Sequence, residues 1–452
     1  MATIFAKQAR LPDQWASHVR VRFDHGHISQ ITLNGTAQQG DKVVDTLLPA
    51  LSNLHSHSFQ RAMAGMTEIR ASAKDSFWTW RARMYQFLQV LTPEDIQAIA
   101  AQTFVEMQEA GFAAVGEFHY VHHQTGGTPY ATLTELSDRI FAAAQETGIG
   151  LTHLPVLYSY GGAGRAPLTD GQLRFGNDVD RFMRLVEACR AQDVPADTRI
   201  GIAPHSLRAT CPEDLETVLQ IAGDAPVHIH IAEQPKEVAD VQSWLGARPV
   251  EWLMTTQPVT ANWCLIHATH MTAAETQSLA ASGAVAGLCP ITEANLGDGP
   301  FNGVVFAEAK GRFGVGSDSN VRISMVEELR SLEYSQRLRD LGRARMISGD
   351  GHIGAYLYQQ AAMGGAQALA RRAGRIEEGA LADLVAIDST HPTLCALEHD
   401  SLLDGLVFAA PDKTVTDLWS AGRHMVQDGA HVARARIAQA FQSTMQGIKD
   451  RL

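Results

Sequence analysis

Leu51-Ser-Asn-Leu-His55-Ser-His57-Ser, which follows the apolar run 43–50, is the stretch of sequence that decides the fold. Side chains alternate along a strand with a period of two, so His55 and His57 point to the same side of a strand that ends here. Their imidazoles can therefore share one metal ion. Such pairs also occur among ordinary surface and core histidines, so the weight of this pair depends on what recurs at later strand ends.

Seven further apolar runs follow, separated by longer segments of helical periodicity: 113–120, 150–158, 199–206, 226–232, 261–267, 284–290 and 312–318. Together with 43–55 they predict eight strands. Their interiors are continuously apolar, as in Cys264-Leu-Ile266, which indicates burial on both faces and therefore a parallel sheet.

The segments between these runs predict helices. Thr92 followed by Pro93 is typical of a helix start, and apolar residues then recur at helical spacing over 98–110. Similar patterns cover 134–147, 178–191, 212–223 and 272–283. Eight strand–helix units favour an α/β fold of the (β/α)8 TIM-barrel type. A doubly wound open sheet is the alternative, but it would bring histidines at strand ends together less easily.

The two ends of the chain differ from the middle. Residues 1–45 contain short alternating runs, and residues after 375 contain hairpin-like runs with turn residues between them. We expect both termini to build one small β-sandwich beside the barrel. The expected division is therefore 1–45 and 375–452 for the sandwich, the latter with a C-terminal helix, and 46–374 for a metal-dependent barrel.

Bulk properties limit the class of protein. The chain has 452 residues and a net charge of -12, which argues against nucleic acid or an anionic membrane as the main partner. Its five cysteines are scattered without a C-x-x-C pair, the pattern of a reducing compartment. With no signal-like or membrane-length apolar run, the sequence predicts a cytoplasmic protein.

The carboxyl ends of the predicted strands carry many titratable side chains. Active sites of (β/α)8 barrels lie at these ends, so the residues are expected to converge on one site. They are His55, His57, His119, Tyr120, His205, Arg208, His230, Glu233, His267, His270 and Asp318.

On these residues the chain resembles the amidohydrolase superfamily. The resemblance covers nearly the whole chain and rests on Leu54-His-Ser-His57, His228-Ile-His-Ile-Ala-Glu233, Ile266-His267, Gly316-Ser-Asp318-Ser and Gly379-Ala-Leu-Ala-Asp-Leu-Val. The predicted fourth strand has no evident bridging lysine or carboxylate for a second metal. The resemblance is therefore to the branch of the superfamily that holds one metal ion.

Within that superfamily the chain is most similar to the formimidoylglutamate deiminases. The motifs are His57-Ser-Phe-Gln60-Arg61-Ala-Met-Ala-Gly65, Phe77-Trp-Thr-Trp-Arg81, Gly116-Glu-Phe-His119-Tyr120, Ala203-Pro-His205-Ser-Leu-Arg208 and Gly316-Ser-Asp318-Ser-Asn320. The resemblance implies hydrolysis of N-formimino-L-glutamate to N-formyl-L-glutamate and ammonia in histidine degradation. It also implies that the protein forms a homodimer and that its binding partner is this small dicarboxylate substrate.

The resemblance also implies residue roles, which the chemistry supports. Three neutral imidazoles and a carboxylate suit Zn2+, with one ion per subunit and iron as an alternative. The expected ligands are His55, His57, His230 and Asp318. His267 is expected to orient or deprotonate the attacking water. Glu233 is expected to protonate the imino nitrogen, and the resemblance assigns Asp318 a proton transfer to the leaving group.

The substrate's two carboxylates require cationic or hydrogen-bonding partners. Arg208 follows the fourth strand and can bind a carboxylate through two nitrogens, and Arg81 lies beside two tryptophans. Gln60, Tyr120 and His205 are the expected neutral partners.

Several alternatives stay open at this stage. Glu233 could hold a ligand histidine, His267 could be a fourth nitrogen ligand, and Asp318 could cap the helix that follows it. Arg81 could lie on a solvated helix face, and Tyr120 could serve only in the packing of the barrel. An aminohydrolase of heterocycles with the same metal site is the alternative activity, and a catalytically silent barrel is the alternative class.

Overall fold

A computed structural model describes residues 2–69 and 77–452. Its strands are β1 (Ala2–Arg10), β2 (Trp15–Asp24), β3 (His27–Thr32), β4 (Lys42–Pro49), β5 (Leu51–Ser56), β6 (Phe112–His119), β7 (Gly150–Leu157), β8 (Arg199–Ile200), β9 (Ala203–Pro204), β10 (Val227–Ile231), β11 (Trp263–His267), β12 (Val285–Leu288), β13 (Arg312–Val315), β14 (Leu384–Ile387), β15 (Val415–Ser420), β16 (Arg423–Gln427) and β17 (Ala430–His431).

The helices within the same residues are α1 (Phe77–Leu88), α2 (Pro93–Glu109), α3 (Glu135–Thr147), α4 (Val179–Arg190), α5 (Pro212–Ala222), α6 (Pro235–Leu245), α7 (Pro249–Thr256), α8 (Ala273–Ser282), α9 (Pro290–Leu296), α10 (Gly303–Glu308), α11 (Met325–Asp340), α12 (Ile353–Ala368), α13 (Asp400–Phe408) and α14 (Arg434–Arg451). Two 3-10 turns span Ser58–Met63 and Asp170–Gln172.

The middle of the chain forms the predicted (β/α)8 barrel. Parallel strands β5 to β9 form one half and β10 to β13 the other. Two bridges close the ring, one between Ser56 and Asp318 and the other between Ile202 and Val227. All carboxyl ends of the strands therefore lie at one end of the barrel, where the predicted site residues are placed.

The fourth barrel strand, predicted over 199–206, is divided into β8 and β9. Between them Ile202 bonds to the other neighbouring strand: its N–H donates to the Pro226 carbonyl oxygen at 2.9 Å. The division arises because this strand alternates between its two neighbours.

The prediction of one continuous strand over 43–55 is wrong. The chain leaves β4 at Pro49, and the Ala50 N–H donates to the Asp383 carbonyl oxygen at 3.0 Å. The first barrel strand begins only at Leu51. The end of β4 in the terminal sheet and the start of β5 in the barrel are both apolar and buried, so the sequence does not show where the chain passes from one to the other.

Strands from both termini build one eight-stranded sheet beside the barrel, in the order β17-β16-β15-β14-β4-β1-β2-β3. The parallel pairing of β4 with β1 and its antiparallel pairing with β14 join the two termini. Apolar side chains from six of these strands form a core of their own, separate from the barrel core.

The predicted start of helix α2 is confirmed. Thr92 and Asp95 form a reciprocal capping box at the start of α2, with Pro93 in the first turn. Helix α11 is capped by Ser324, whose hydroxyl accepts from the Glu327 N–H. The alternative that Asp318 caps this helix is therefore wrong.

None of the helices within the described ranges has the length and apolar character needed to cross a lipid bilayer.

Candidate active site and metal centre

Three histidines meet at the carboxyl end of the barrel. His55 lies in β5, His57 lies directly after that strand, and His230 lies in β10. One nitrogen of each ring lies within 4.8 Å of the others. The distance between His55 Nε2 and His230 Nε2 is 3.0 Å. His57 Nδ1 donates to the Phe118 carbonyl oxygen at 2.9 Å, which leaves Nε2 as the unprotonated nitrogen that faces the cluster.

Asp318 joins this trio from the loop after β13. Its Oδ1 lies 3.5 Å from His55 Nε2 and 3.4 Å from His57 Nε2. Gly316 permits the close approach, since a β-carbon there would lie 2.7 Å from the His55 carbonyl oxygen. Asp318 itself has a φ of 45°, in the left-handed region that non-glycine residues adopt infrequently.

Burial and charge set the protonation states of this cluster. Burial lowers the pKa of His55 to about 3 and also lowers the pKa of His57 and His230. Burial alone would raise the pKa of Asp318, but its hydrogen bond with His55 and the nearby histidine charges hold that pKa well below the usual value. Three neutral imidazoles and an ionised carboxylate form a donor set that fits a zinc-type cation.

His267, at the end of β11, lies among three carboxylates. Its Nε2 is 3.7 Å from Glu233 Oε1 and 3.8 Å from Asp318 Oδ2, and its Nδ1 is 3.3 Å from Glu293 Oε1. Burial alone would lower the pKa of His267, but the charge of Glu233, the hydrogen bond with Glu293 and the charge of Asp318 raise it to about 10. This ring can exchange protons with both Glu233 and Asp318.

Glu233 is held in place through its backbone. The Glu237 carboxylate accepts hydrogen bonds of 3.0 Å from the N–H groups of both Ala232 and Glu233. Burial raises the pKa of Glu233, opposed by the charges of His267 and Arg208. A buried carboxylic acid that faces the cavity is suited to donating a proton.

A cavity lies above the cluster, and its empty space of about 530 Å³ includes the part that is open to solvent. Gln60 and Tyr120 form one wall, where Gln60 Nε2 donates to the Tyr120 hydroxyl at 2.7 Å. His205 lies beside them, with its Nδ1 2.9 Å from Ser206 Oγ. The predicted residues that line the cavity are His57, Gln60, Arg81, Tyr120, His205, Arg208, His230, Glu233, His267 and Asp318, while His55 lies buried behind them.

Two arginines that line this cavity, Arg81 and Arg208, lie near the ring of Trp78. The guanidinium carbon of Arg81 lies 4.7 Å from the Trp78 ring centre, and that of Arg208 lies 5.8 Å from it. Arg208 is only 5% exposed. Across residues 2–69 and 77–452, neither guanidinium has a salt-bridge partner. The buried Arg208 guanidinium, without a salt-bridge partner among the described residues, can bind an anionic ligand through its N–H groups.

His119 and His270, which were expected to converge on the site, do not join the cluster, and neither do the neighbouring His122 and His123. His122 Nε2 lies 3.0 Å from the Val156 carbonyl oxygen and His123 Nε2 lies 2.9 Å from that of Gly176, both structural contacts. The His119 ring packs at 5.5 Å from that of His122. His270 lies beyond the site, where its carbonyl oxygen accepts from Arg248.

Two carboxylates beside the site carry no strand-end signal in the sequence. Glu237 lies within helix α6, four residues after Glu233, and Glu293 lies within helix α9. The contacts of Glu237 with the backbone before α6 and of Glu293 with His267 become evident only in the folded structure. The signal that could have suggested the contact of Glu237 is its position three residues after the N-cap Gln234, from which a glutamate commonly accepts from backbone N–H groups before the helix.

Comparisons with known proteins identify the family of this chain. A sequence model described as the amidohydrolase family matches residues 46–425, and one described as the N-terminal domain of formimidoylglutamate deiminase HutF matches residues 1–45. A formimidoylglutamate deiminase of Pseudomonas aeruginosa is 48% identical over 444 residues, which cover 98% of each chain.

Solved structures show the same fold. The crystal structure of an amidohydrolase from Brucella melitensis has a TM-score of 0.94 and 48% identity, and the match covers 99% of this chain and 100% of that one. A zinc-bound adenosine deaminase from Xanthomonas campestris has a TM-score of 0.82 at 22% identity, covering 99% and 98% of the two chains, which supports the fold alone.

Proposed function

The chain belongs to the amidohydrolase family, and on this premise we propose that it hydrolyses N-formimino-L-glutamate to N-formyl-L-glutamate and ammonia. The activity named for the Pseudomonas aeruginosa relative supports this reaction. The observation that carries the proposal is one cavity with a metal-type cluster at its floor and two arginines, Arg81 and Arg208, without ionic partners among the described residues.

The arginines favour a dicarboxylate over a heterocycle. The Arg208 guanidinium is buried and makes no salt bridge within 4.0 Å among the described residues, so a substrate carboxylate can bind it through two hydrogen bonds. N-formimino-L-glutamate brings two carboxylates, enough for both Arg81 and Arg208. Gln60, Tyr120 and His205 add neutral polar groups along the same wall. A neutral purine would leave both cations unpaired.

The proposed metal ligands are His55, His57, His230 and Asp318. A bound zinc ion would supply a water of lowered pKa and a positive charge that favours neutral His267. His267 then accepts a proton from the attacking water, with its ring held by Glu293 on the opposite nitrogen. Its placement 3.7 Å from Glu233 lets the two groups share that proton.

Glu233 and Asp318 complete the proton transfers in the proposed reaction. Glu233 donates a proton to the imino nitrogen as the water oxygen bonds to the formimino carbon. Asp318 carries the hydroxyl proton to the same nitrogen. The nitrogen then leaves as ammonia, and the carbon–oxygen bond becomes the carbonyl of the formyl product. Water and the amidine are consumed, and no redox partner is required.

We further propose one zinc ion per subunit, with iron as the alternative, because the donor set combines imidazole and carboxylate.

All five cysteines are free thiols, which supports a cytoplasmic location. A homodimer is also proposed, and the exposed side chains of Leu338 and Leu341 at the end of α11 supply an apolar contact surface for it.

Ammonia release by the purified, zinc-loaded protein tests the proposed substrate class. N-formimino-L-glutamate, guanine, adenosine and cytosine are offered in parallel. We expect turnover of the formimino compound alone. Turnover of a heterocycle instead would contradict the role of the arginines, and zinc binding without turnover of any substrate would favour a silent barrel.

Replacing Arg208 or Arg81 with alanine is expected to raise KM for N-formimino-L-glutamate. Loss of one charged hydrogen-bonded pair costs about 1.5–3 kcal/mol, which corresponds to roughly 10- to 150-fold in kcat/KM. Arg83→Ala is the matched control, because Arg83 lies on the same helix but lines a separate surface cavity. An unchanged KM in both variants, measured by steady-state kinetics, would move the carboxylate site elsewhere.

Replacing Glu293 with glutamine is expected to lower kcat by roughly 10- to 100-fold with little change in KM, because the amide removes the carboxylate charge that faces His267 Nδ1. Glu333→Gln is the control: Glu333 is equally buried but binds the backbone N–H groups of Arg345 and Met346. Equal losses of kcat in both variants, or a KM effect equal to the kcat effect, would refute a positioning role for Glu293.

A further inference from the structure

A second group of metal-ligating atoms lies beside the histidine trio. His267, Cys289 and Asp318 each offer one ligand atom, and these atoms all lie within 4.8 Å of one another. Both Cys289 and His267 are fully buried, and Asp318 is nearly so. The group brings together one nitrogen, one sulfur and one oxygen donor, a mixture typical of zinc and other thiophilic cations.

One carboxylate, that of Glu293, contacts both Cys289 and His267. Glu293 Oε1 accepts from the Cys289 N–H at 2.9 Å and lies 3.3 Å from His267 Nδ1, so Nε2 is the free nitrogen of His267. That nitrogen lies 3.8 Å from Asp318 Oδ2. Ligand atoms around a tetrahedral zinc ion are separated by roughly 3.3–3.8 Å, given its bond lengths of about 2.0–2.3 Å. The three ligand atoms, which lie within 4.8 Å of one another, would need to approach by about 1 Å or less to reach these separations.

Asp318 divides its two oxygens between the two groups. Oδ1 faces His55 and His57 at 3.5 and 3.4 Å, whereas Oδ2 faces His267. A carboxylate in this position can bridge two cations. The partner of His267 at its other nitrogen, Glu293, corresponds to the carboxylate that commonly supports a metal-bound histidine.

The surrounding charge also favours a cation at this point. Glu233, Glu293 and Asp318 all lie within 4.0 Å of the His267 ring nitrogens. Glu233 and Asp318 also line the cavity above, which gives an ion a route from solvent.

We propose that His267 Nε2, Cys289 Sγ and Asp318 Oδ2 form a second, inhibitory site for a thiophilic divalent cation, occupied after the trio site. Cys289 binds as a thiolate, and its S–H proton passes to the solvent. The inhibition rests on the proposed function: an ion here occupies the nitrogen of His267 and the oxygen of Asp318 that would otherwise move protons.

Cadmium titration tests the site without any substrate. Protein that already holds one zinc equivalent receives Cd2+, and the ultraviolet sulfur-to-cadmium charge-transfer band is followed together with the bound metal per chain. Every protein carries Cys395→Ser, because Cys395 is the exposed thiol that could bind cadmium at the surface. The test variant is Cys289→Ser. The matched control is Cys264→Ser, since Cys264 is equally buried in the same apolar cluster but outside the ligand group.

We expect the band to appear as one further equivalent binds to the parent and to Cys264→Ser, and to be missing from Cys289→Ser. Excess Cd2+ or Zn2+ should lower turnover by about tenfold or more in the first two proteins, each relative to its own rate with one zinc. A parent without the band, or a band lost with Cys264→Ser instead, would overturn the second site. Because the band requires no turnover, a wrong substrate assignment would leave this result intact.

Discussion

Replacing Asp318 with alanine is expected to lower kcat/KM for N-formimino-L-glutamate by more than about 10³-fold and to weaken zinc retention. The effect should be this large because one carboxylate serves two groups. Its Oδ1 lies against His55 and His57, and its Oδ2 lies against His267. Its removal takes away a proposed metal ligand and a proposed proton carrier together.

Metal content after dialysis, measured beside the kinetics, separates these two losses. Asp318→Asn keeps the shape and removes the charge, so it should retain more zinc than alanine while turnover still falls. Asp298→Asn is the control for a buried aspartate close by, since Asp298 bonds to Gln234 and belongs to neither ligand group. It should keep its zinc. Full metal content and full activity in Asp318→Ala would remove this residue from the ligand set.

Replacing Glu233 with glutamine is expected to lower kcat by roughly 10²- to 10⁴-fold with zinc fully bound, because a proton donor is lost and no ligand is removed. The amide retains the size of the side chain and leaves the backbone bonds to Glu237 in place. Metal analysis and steady-state kinetics on the same sample check both parts of this expectation. Loss of zinc would make Glu233 a ligand, and an unchanged kcat would assign the proton donation to another group.

The pH dependence gives an independent test of Glu233. Its pKa is raised by burial, and a proton donor acts only while it is protonated. The rate of the native protein should therefore fall as the pH rises through that raised pKa. The residual rate of Glu233→Gln should lack this alkaline decrease. The same decrease in both proteins would assign the titration to another group.

The sequence is most informative where the fold imposes a simple geometry. Parallel strands of a closed barrel end at one edge, so the side chains of His55, His230 and Asp318 could be predicted to converge from their positions in the chain alone. The period of two along a strand also indicated that His55 and His57 face the same side. These relations depend on backbone geometry, which the apolar runs specify well.

Contacts made by helices and loops could not be predicted in the same way. Glu293 reaches His267 only because helix α9 packs over the end of β11, and no local pattern around Glu293 signals that contact. The placement of Trp78 near both Arg81 and Arg208 likewise depends on how α1 lies across the cavity. The change of layer at Ala50 was missed because the residues on both sides of it are equally apolar.

Identification of the products tests the central claim most directly. Zinc-loaded protein is given N-formimino-L-glutamate labelled with carbon-13 at the formimino carbon, and the products are followed by nuclear magnetic resonance together with an ammonia assay. The account predicts N-formyl-L-glutamate and ammonia in equal amounts, because in the proposed reaction Glu233 and Asp318 deliver protons to the terminal nitrogen. Labelled formamide with free glutamate, or no product from fully zinc-loaded protein, would contradict it.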